Sequence, residues 1–377
     1  MTDSTRRAFL RTVGAGAAVF AARPVYSPQR AFAAVGGRRA TLPGPVHLNF
    51  NESPYGPSPK AIAAYRSASA DVIGRYAPED HYDTLCAALA KHHGVTPAHI
   101  RVTPGSTEVL KVCDDVFLSA GAPVVVAEPA YEAVLQYAAN SHANATKVPL
   151  TPDFRHDLVK MAAATTTKTG LIYICNPNNP TGTIVRKDEI SGLLDRIPKS
   201  VTVLVDEAYA EFVDDPGYES AVRHVKDGRN VIVAKTFSKI HGMAGARVGY
   251  AIAAPETIKK LTPFTVDFAV TGASANAALA SMADTTYRAD VTRRNAIERS
   301  RFAAEMRKAG YVVAESQANF AMVNLKRPVG PVISGLAARQ VLVGREFPAM
   351  PTFLRVTFGT TAEMDAFYPA FAAVMKG

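Results

Sequence analysis

The chain has 377 residues, 48% of them hydrophobic and 20% charged, with 17 Phe, 14 Tyr and no Trp. That length and balance allow a large buried core, either one big domain with a smaller companion or two comparable lobes, and exclude a small binding module or a fibrous or disordered chain. The formal charge of +9 drops to +5 once residues 1–33, which hold Arg6, Arg7, Arg11, Arg23, Arg30 and Asp3, are set aside. The remaining Lys and Arg are scattered without a basic run or aromatic-interleaved stripe, so nucleic acid is not expected as a partner.

The N-terminus reads as an address. Arg6-Arg7 within the stretch Thr5 to Arg11 is a twin-arginine pattern; a weakly apolar run, Val13 to Ala22, follows, and then Ala31-Phe32-Ala33, a small-residue cleavage site. Charged, apolar and small-residue parts in that order predict a Tat-type signal over 1–33, with export by the twin-arginine machinery to the periplasm or beyond. A basic amphipathic tail is the alternative, and the chain is then cytoplasmic. The apolar run is about ten residues, half of what a bilayer span needs, so no stable membrane insertion is expected.

Residues 34–60 form the next unit. Leu42 to Pro59 is rich in Pro and Gly, which predicts an extended arm with turns and no regular structure, packed on some other part of the molecule. From 61 to 263 amphipathic helical stretches alternate with short β-branched runs: Ile100 to Thr103, Val124 to Ala127, Leu171 to Cys175, Val201 to Val205, Val231 to Ala234 and Arg247 to Ala251. Apolar strands of that length between helices predict an α/β domain, with a mostly parallel sheet covered on both faces. From 264 to 377 Ala-rich helical sequence precedes Val312 to Ala314, Phe320 to Val323, Val341 to Val343 and Leu354 to Thr357, a smaller α+β domain. Cys86, Cys113 and Cys175 are odd in number and sit in apolar or periodic stretches, which reads as buried free thiols. His92 and His93 are adjacent, without a partner at ligand spacing, and no metal site is expected.

Open sheets of this kind bind ligands at the carboxyl ends of their strands, and the chemically suggestive residues fall just after the runs. Lys239, in Thr236-Phe237-Ser238-Lys239, leaves a buried strand where desolvation favours the neutral, imine-forming amine; a solvated strand-end lysine is the plain alternative. Asp206 ends another strand and could hold a ring nitrogen protonated or cap a helix, with Tyr209 three residues on. Asn176 to Gly182 is a loop stiffened by Pro177 and Pro180, able to aim the Asn179 amide or to serve as a generic turn. Gly105-Ser106-Thr107-Glu108 opens a helical stretch, Val109 to Leu118, and is either a capping box or a phosphate cradle that Thr236, Ser238 and Arg247 complete. Arg355, on a strand of the smaller domain, suits a substrate carboxylate or a surface ion pair.

Taken in order, Asn49 to about Thr361 carries N-E-S-P-Y-G-P, G-S-T-E, N-P-N-N-P-T-G, D-E-A-Y and T-F-S-K followed by Arg247. This set resembles the class I/II aminotransferases of pyridoxal 5′-phosphate fold type I, most closely the histidinol-phosphate aminotransferase-like branch. The resemblance implies a large domain with a mostly parallel mixed sheet between helices, a smaller α+β domain joined by the arm, and amino-group transfer between an amino acid, or an amino-alcohol analogue, and a 2-oxo acid. It implies that Lys239 is the Schiff-base lysine and proton shuttle, that Asp206, Tyr209 and Asn179 hold the pyridine ring, and that Tyr131 stacks on it. Ser106, Thr107, Thr236, Ser238 and Arg247 then form the phosphate cup. Tyr76 reaches the phosphate of the neighbouring subunit, implying a homodimer with shared active sites; Tyr55 borders the substrate pocket, and Arg355 with Asn179 receives the substrate carboxylate.

One departure bears on the substrate. The branch carries a second arginine for a phosphorylated side chain where this chain has Gly344, and Arg345, displaced by one on a strand, is expected on the opposite face. Histidinol phosphate is therefore not the expected substrate. A lyase or racemase would use nearly the same cofactor residues, and a non-catalytic pyridoxal-phosphate-binding protein is the alternative from another class.

Overall fold

The computed structural model describes residues 44–376 apart from 70, 71, 73, 75, 77 and 78, so the expected signal over 1–33 lies outside the described residues. In chain order the strands are β1 (Val46–Leu48), β2 (Ile100–Thr103), β3 (Val124–Glu128), β4 (Ala145–Pro149), β5 (Leu171–Cys175), β6 (Thr202–Asp206), β7 (Val231–Thr236), β8 (Gly249–Ile252), β9 (Val312–Val313), β10 (Phe320–Asn324), β11 (Val341–Val343) and β12 (Phe353–Thr357). Seven of them build one mixed sheet in the order β2-β8-β7-β6-β5-β3-β4. β8 runs antiparallel to both its neighbours and the remaining pairs are parallel.

Burial on both faces explains the near-continuous apolar strands, and their period of two sorts the residues into two cores. Val125, Ile172, Ile174, Val203, Val205 and Val233 face one core with Leu85 and Leu89 of the helix Glu79–His93 and the helix Gly272–Ala283. Val124, Val126, Tyr173, Cys175, Leu204, Ile232 and Ala234 face the other, where Val109, Leu110 and Cys113 of the helix Ser106–Phe117 pack. On that second face Cys175, Asp206 and Thr236 are the last residues of β5, β6 and β7, which puts three adjacent strand ends under one cleft.

The C-terminal part has its own core: β10 lies between β12 and β9 in an antiparallel sheet whose Val323, Leu354 and Val356 pack on Phe302, Phe367 and Phe371. The arm differs from its expected irregular form. Val46–Leu48 is a strand and pairs in parallel with Val341–Val343, so the breaker-rich segment is ordered by a partner about 295 positions later rather than by its own propensity. β4 was also not legible as a strand; Lys147 and Pro149 suit it to the edge of the large sheet, where it stands. Cys86, Cys113 and Cys175 are free thiols, the last two buried.

Candidate active site

The phosphate cradle is built from backbone. The helix Ser106–Phe117 begins directly at Ser106, after Gly105 with φ of 88° and without a side-chain cap, so the capping box does not form and the first-turn N–H groups point outward. Gly105 is required twice over: its φ is left-handed, and a Cβ would stand 2.3 Å from Nη2 of Arg247. Arg247, itself at φ 54°, donates through Nη1 to Ser238 Oγ at 3.2 Å and to the Ala244 carbonyl at 2.9 Å, and through Nη2 to the Pro104 carbonyl at 3.2 Å. Thr236 Oγ1 donates to Ser238 Oγ at 2.9 Å and accepts from the Ser238 N–H at 3.1 Å. Thr236, Ser238 and Arg247 thus form a connected donor set beside the helix N-terminus that Ser106 and Thr107 open, which suits a phosphate monoester.

Beside the cradle lie the ring-sized groups. Asp206 is 3% exposed; the Tyr173 hydroxyl donates to its Oδ2 at 3.0 Å and the Ala208 N–H to its Oδ1 at 3.1 Å. Burial pushes its pKa up to about 6, against those two hydrogen bonds and the nearby Lys239 charge. It does not cap a helix, because the next helical turn begins only at Ala210. The Lys239 amine donates to the Phe50 carbonyl at 3.2 Å and stands 5.5 Å from the centre of the Tyr209 ring. Its pKa is pushed down to about 8, first by burial and then by the Arg355 and Arg247 charges, with Glu52 and Asp206 opposing.

Opposite them, Arg355 donates through Nη1 to Asn179 Oδ1 at 2.8 Å and through Nη2 to the Asn49 carbonyl at 2.7 Å. Burial is the main cause that lowers its pKa to about 10, and its Nε is buried without a hydrogen-bond partner. This is no surface ion pair; it is a desolvated guanidinium with donors to spare for a carboxylate. Asn178, next to Asn179, donates to the Pro129 carbonyl and to Thr181, which ties the proline-stiffened loop to the segment before Tyr131.

The remaining expected residues lie around this set. Tyr131 is partly exposed and lies in the vicinity of Arg355. Tyr55 packs against the cluster of Tyr209, Phe212, Ile240 and Val291, with the Arg294 guanidinium 5.2 Å from its ring centre. Tyr76 is 81% exposed, its ring 5.0 Å from that of Phe268. Arg345 was expected on the opposite face from Gly344 by strand alternation, but β11 ends at Val343, so that alternation does not fix its direction. Both guanidiniums sit against Phe347, at 4.4 Å for Arg345 and 5.3 Å for Arg355, and Arg345 is ion-paired with Glu132. Two functional neighbours, Tyr173 and Asn51, were missed; the signal for Tyr173 was a phenol inside an aliphatic strand, whose hydroxyl must find a partner.

A helix N-terminus beside Arg247, a buried carboxylate and a lysine amine of lowered pKa at the strand ends of the large sheet, with the buried Arg355 guanidinium from the smaller one, suit a phosphorylated pyridine cofactor and an amino acid. The comparisons agree. The family model for aminotransferase class I and II matches residues 43–371, and the chain belongs to that family. It is 37% identical to histidinol-phosphate aminotransferase of Moorella thermoacetica over 88% of this chain and 85% of that one. It is equally 37% identical to aromatic amino acid aminotransferase of Mycolicibacterium paratuberculosis, over 91% of this chain and 93% of the other. The crystal structure of histidinol-phosphate aminotransferase from Sinorhizobium meliloti in complex with pyridoxal 5′-phosphate superposes with a TM-score of 0.83 at 27% identity, covering 94% of this chain and 99% of that one. The protein is a pyridoxal-phosphate-dependent aminotransferase of fold type I, and the donor set described above fits that cofactor.

Proposed function

We propose that Lys239 carries the cofactor and moves the proton at the substrate α-carbon, and that the amino donor is a carboxylated amino acid with an uncharged, aromatic side chain. When bound, pyridoxal phosphate supplies the electron sink for the carbanion formed at that carbon. Asp206 keeps the ring nitrogen protonated, Tyr209 and Asn179 hold the phenolic edge, Tyr131 covers the face, and Ser106, Thr107, Thr236, Ser238 and Arg247 hold the phosphate. The 2-oxo acid acceptor then takes the amino group by the same steps reversed. The single observation that carries these roles is the lysine amine with its pKa near 8 between a buried carboxylate and a buried guanidinium, because a neutral amine can both form an imine and act as a base near neutral pH.

The substrate class rests on Gly344. A Cβ there would lie 2.8 Å from the Arg355 carbonyl oxygen and 3.0 Å from its Cβ, so no arginine fits at that position without displacing the carboxylate-binding strand. The neighbouring Arg345 is paired with Glu132 and stacked on Phe347. The absence of an arginine at position 344 favours the aromatic substrates named for one set of relatives over the histidinol phosphate named for the other.

The reading includes a homodimer, with Tyr76 of each subunit completing the phosphate cup of the other, and export by the twin-arginine route after the cofactor is loaded. Exposed Tyr76, Phe264, Val266 and Phe268 support the first, and Arg6-Arg7 with the apolar run and Ala31-Phe32-Ala33 support the second. The deciding experiment is an absorbance spectrum of the purified mature protein with each of a panel of amino donors and no oxo acid. Conversion of the visible cofactor band to the near-ultraviolet amine form by phenylalanine or tyrosine, with one oxo acid released per site, is the expected result. A response to histidinol phosphate alone would overturn the substrate class, and release of ammonia or carbon dioxide would overturn amino-group transfer as the outcome at this site.

A further inference from the structure

Three consecutive residues of the arm touch three functional side chains: the Asn49 carbonyl accepts from Arg355, the Phe50 carbonyl accepts from Lys239, and Asn51 Nδ2 donates to the Tyr209 hydroxyl oxygen at 3.1 Å. Asn51 is 1% exposed and held at φ 54°, a conformation that costs most residues free energy and that asparagine tolerates. Its other groups are also engaged. The N–H donates to Thr357 Oγ1 at 3.0 Å, Oδ1 accepts from the same hydroxyl at 3.0 Å, and the carbonyl accepts from Asn319 Nδ2 at 3.0 Å. Thr357 and Arg355 are two apart on β12 and share a face, so one buried side chain joins the Tyr209 hydroxyl to the strand of the carboxylate-binding arginine.

We propose that Asn51 is a positioning residue that fixes the Tyr209 hydroxyl as a hydrogen-bond donor toward the cofactor ring and ties it to the Arg355 strand. A phenol has one proton and two lone pairs. With one lone pair occupied by an amide N–H of Asn51, the proton is directed away from Asn51, to the side where Lys239 stands over the ring. Donation from Asn51 also opposes the burial that raises the Tyr209 pKa, which makes the phenol a better donor; Arg355 acts in the same direction, while Cys175 and Asp206 act against it and the Lys239 charge sits above the ring.

The inference rests on the role proposed for Tyr209, and the test separates the two. The readout is the pH midpoint of the visible cofactor band in the holoenzyme without substrate, together with cofactor affinity by equilibrium dialysis. A donor at the phenolic edge stabilises the ring oxygen most once the lysine-bound nitrogen beside it has lost its proton, so weakening that donor moves the midpoint upward. Tyr209→Phe gives the full shift. Asn51→Gly removes the side chain while allowing the left-handed backbone, and should raise the midpoint by about half a unit to one unit, as expected for one hydrogen bond. Asn51→Asp keeps size, backbone preference and the Thr357 acceptor but turns the donor into an acceptor, and should raise it at least as far. Upward shifts in both Asn51 variants, with cofactor affinity reduced several-fold, support the proposal. A shift in Tyr209→Phe with none in either Asn51 variant overturns it and leaves the Tyr209 role intact; no shift in Tyr209→Phe overturns that role and the proposal with it.

Discussion

The Tyr173 hydroxyl donates to Oδ2 of Asp206 at 3.0 Å, from a fully buried position on the neighbouring parallel strand. Asp206 needs that bond, because burial already lifts its pKa to about 6 with Tyr173 and the Ala208 N–H both opposing the rise. Tyr173→Phe removes a hydrogen bond to a charged group, worth about one to two pH units on the carboxylate. Since the ionised form holds the ring nitrogen, the acid limb of cofactor affinity, measured on the cofactor-free protein, should move upward by that amount. Affinity falls roughly tenfold near pH 6.5 and recovers above pH 8.5; a profile lowered equally at every pH would contradict the assignment.

The same burial predicts a conflict between stability and function in the cofactor-free protein. A carboxyl whose folded pKa is raised binds its proton more tightly when folded, so it costs stability as pH rises from the unfolded value near 4 through the folded value near 6. Asp206→Asn removes the charge. At pH 8 the cofactor-free variant should be more stable than its parent by on the order of 1–2 kcal/mol in urea unfolding, and the difference should shrink as pH falls toward 4. Its cofactor affinity falls at least tenfold at the same time. Equal stability at pH 8 would mean that Asp206 is better solvated than its 3% exposure implies.

Lys239 gives a kinetic test with the opposite sign. Its pKa of about 8 is lowered, chiefly by burial, and only the neutral amine attacks the cofactor aldehyde. Growth of the visible band after mixing cofactor-free protein with pyridoxal phosphate should therefore accelerate about tenfold per pH unit below 8 and level off above it. A profile still rising at pH 10 would show an ordinary solvated lysine. Lys239→Ala should abolish the band and lower kcat by at least about 10³–10⁴-fold.

Much of this site was legible in the sequence because each of these residues closes or follows a recognisable apolar run: Asp206 at the end of β6, and Thr236 to Lys239 from the last residue of β7 onward, need only the rule that ligands gather at strand ends. What could not be read depends on contacts far apart in the chain. Val46–Leu48 is a strand only because Val341–Val343 is there to pair with it. Asn51 looks like one polar residue in a motif until its left-handed backbone and the Tyr209 hydroxyl are seen together. Tyr173 has the pattern of a core residue, and only the register of β5 on β6, with Cys175 beside Asp206, sets its hydroxyl against the carboxylate. The direction of Arg345 could not be read from strand alternation, because the strand ends at Val343, two residues before it.

Arg355 is held by Asn179 and the Asn49 carbonyl, and its planar fork is the feature a substrate carboxylate uses. Arg355→Lys keeps the charge and loses the fork. Transfer from every carboxylated donor should drop by about 10–100-fold in kcat/KM, with the larger part in KM, whereas the visible band and cofactor affinity change little. A loss of cofactor binding instead would place Arg355 in the cofactor site.

The pairing of Arg345 with Glu132 makes a prediction about specificity that bears directly on the choice between relatives. Both side chains are partly exposed, and such a pair is worth no more than about 1 kcal/mol, so it is readily exchanged for a better anion. Glu132→Gln leaves Arg345 stacked on Phe347, beside Arg355, with its charge unopposed. Donors with an anionic side chain, such as aspartate, and histidinol phosphate should gain about three- to tenfold in kcat/KM, and phenylalanine and tyrosine should stay within about twofold of the parent. Adding Arg345→Ala should cancel the gain while leaving the aromatic donors unaffected. If the gain survives in the double variant, the anion is reading some other cation; if no anionic donor improves, the Arg345 guanidinium does not reach the substrate pocket and Gly344 alone shapes the choice of substrate.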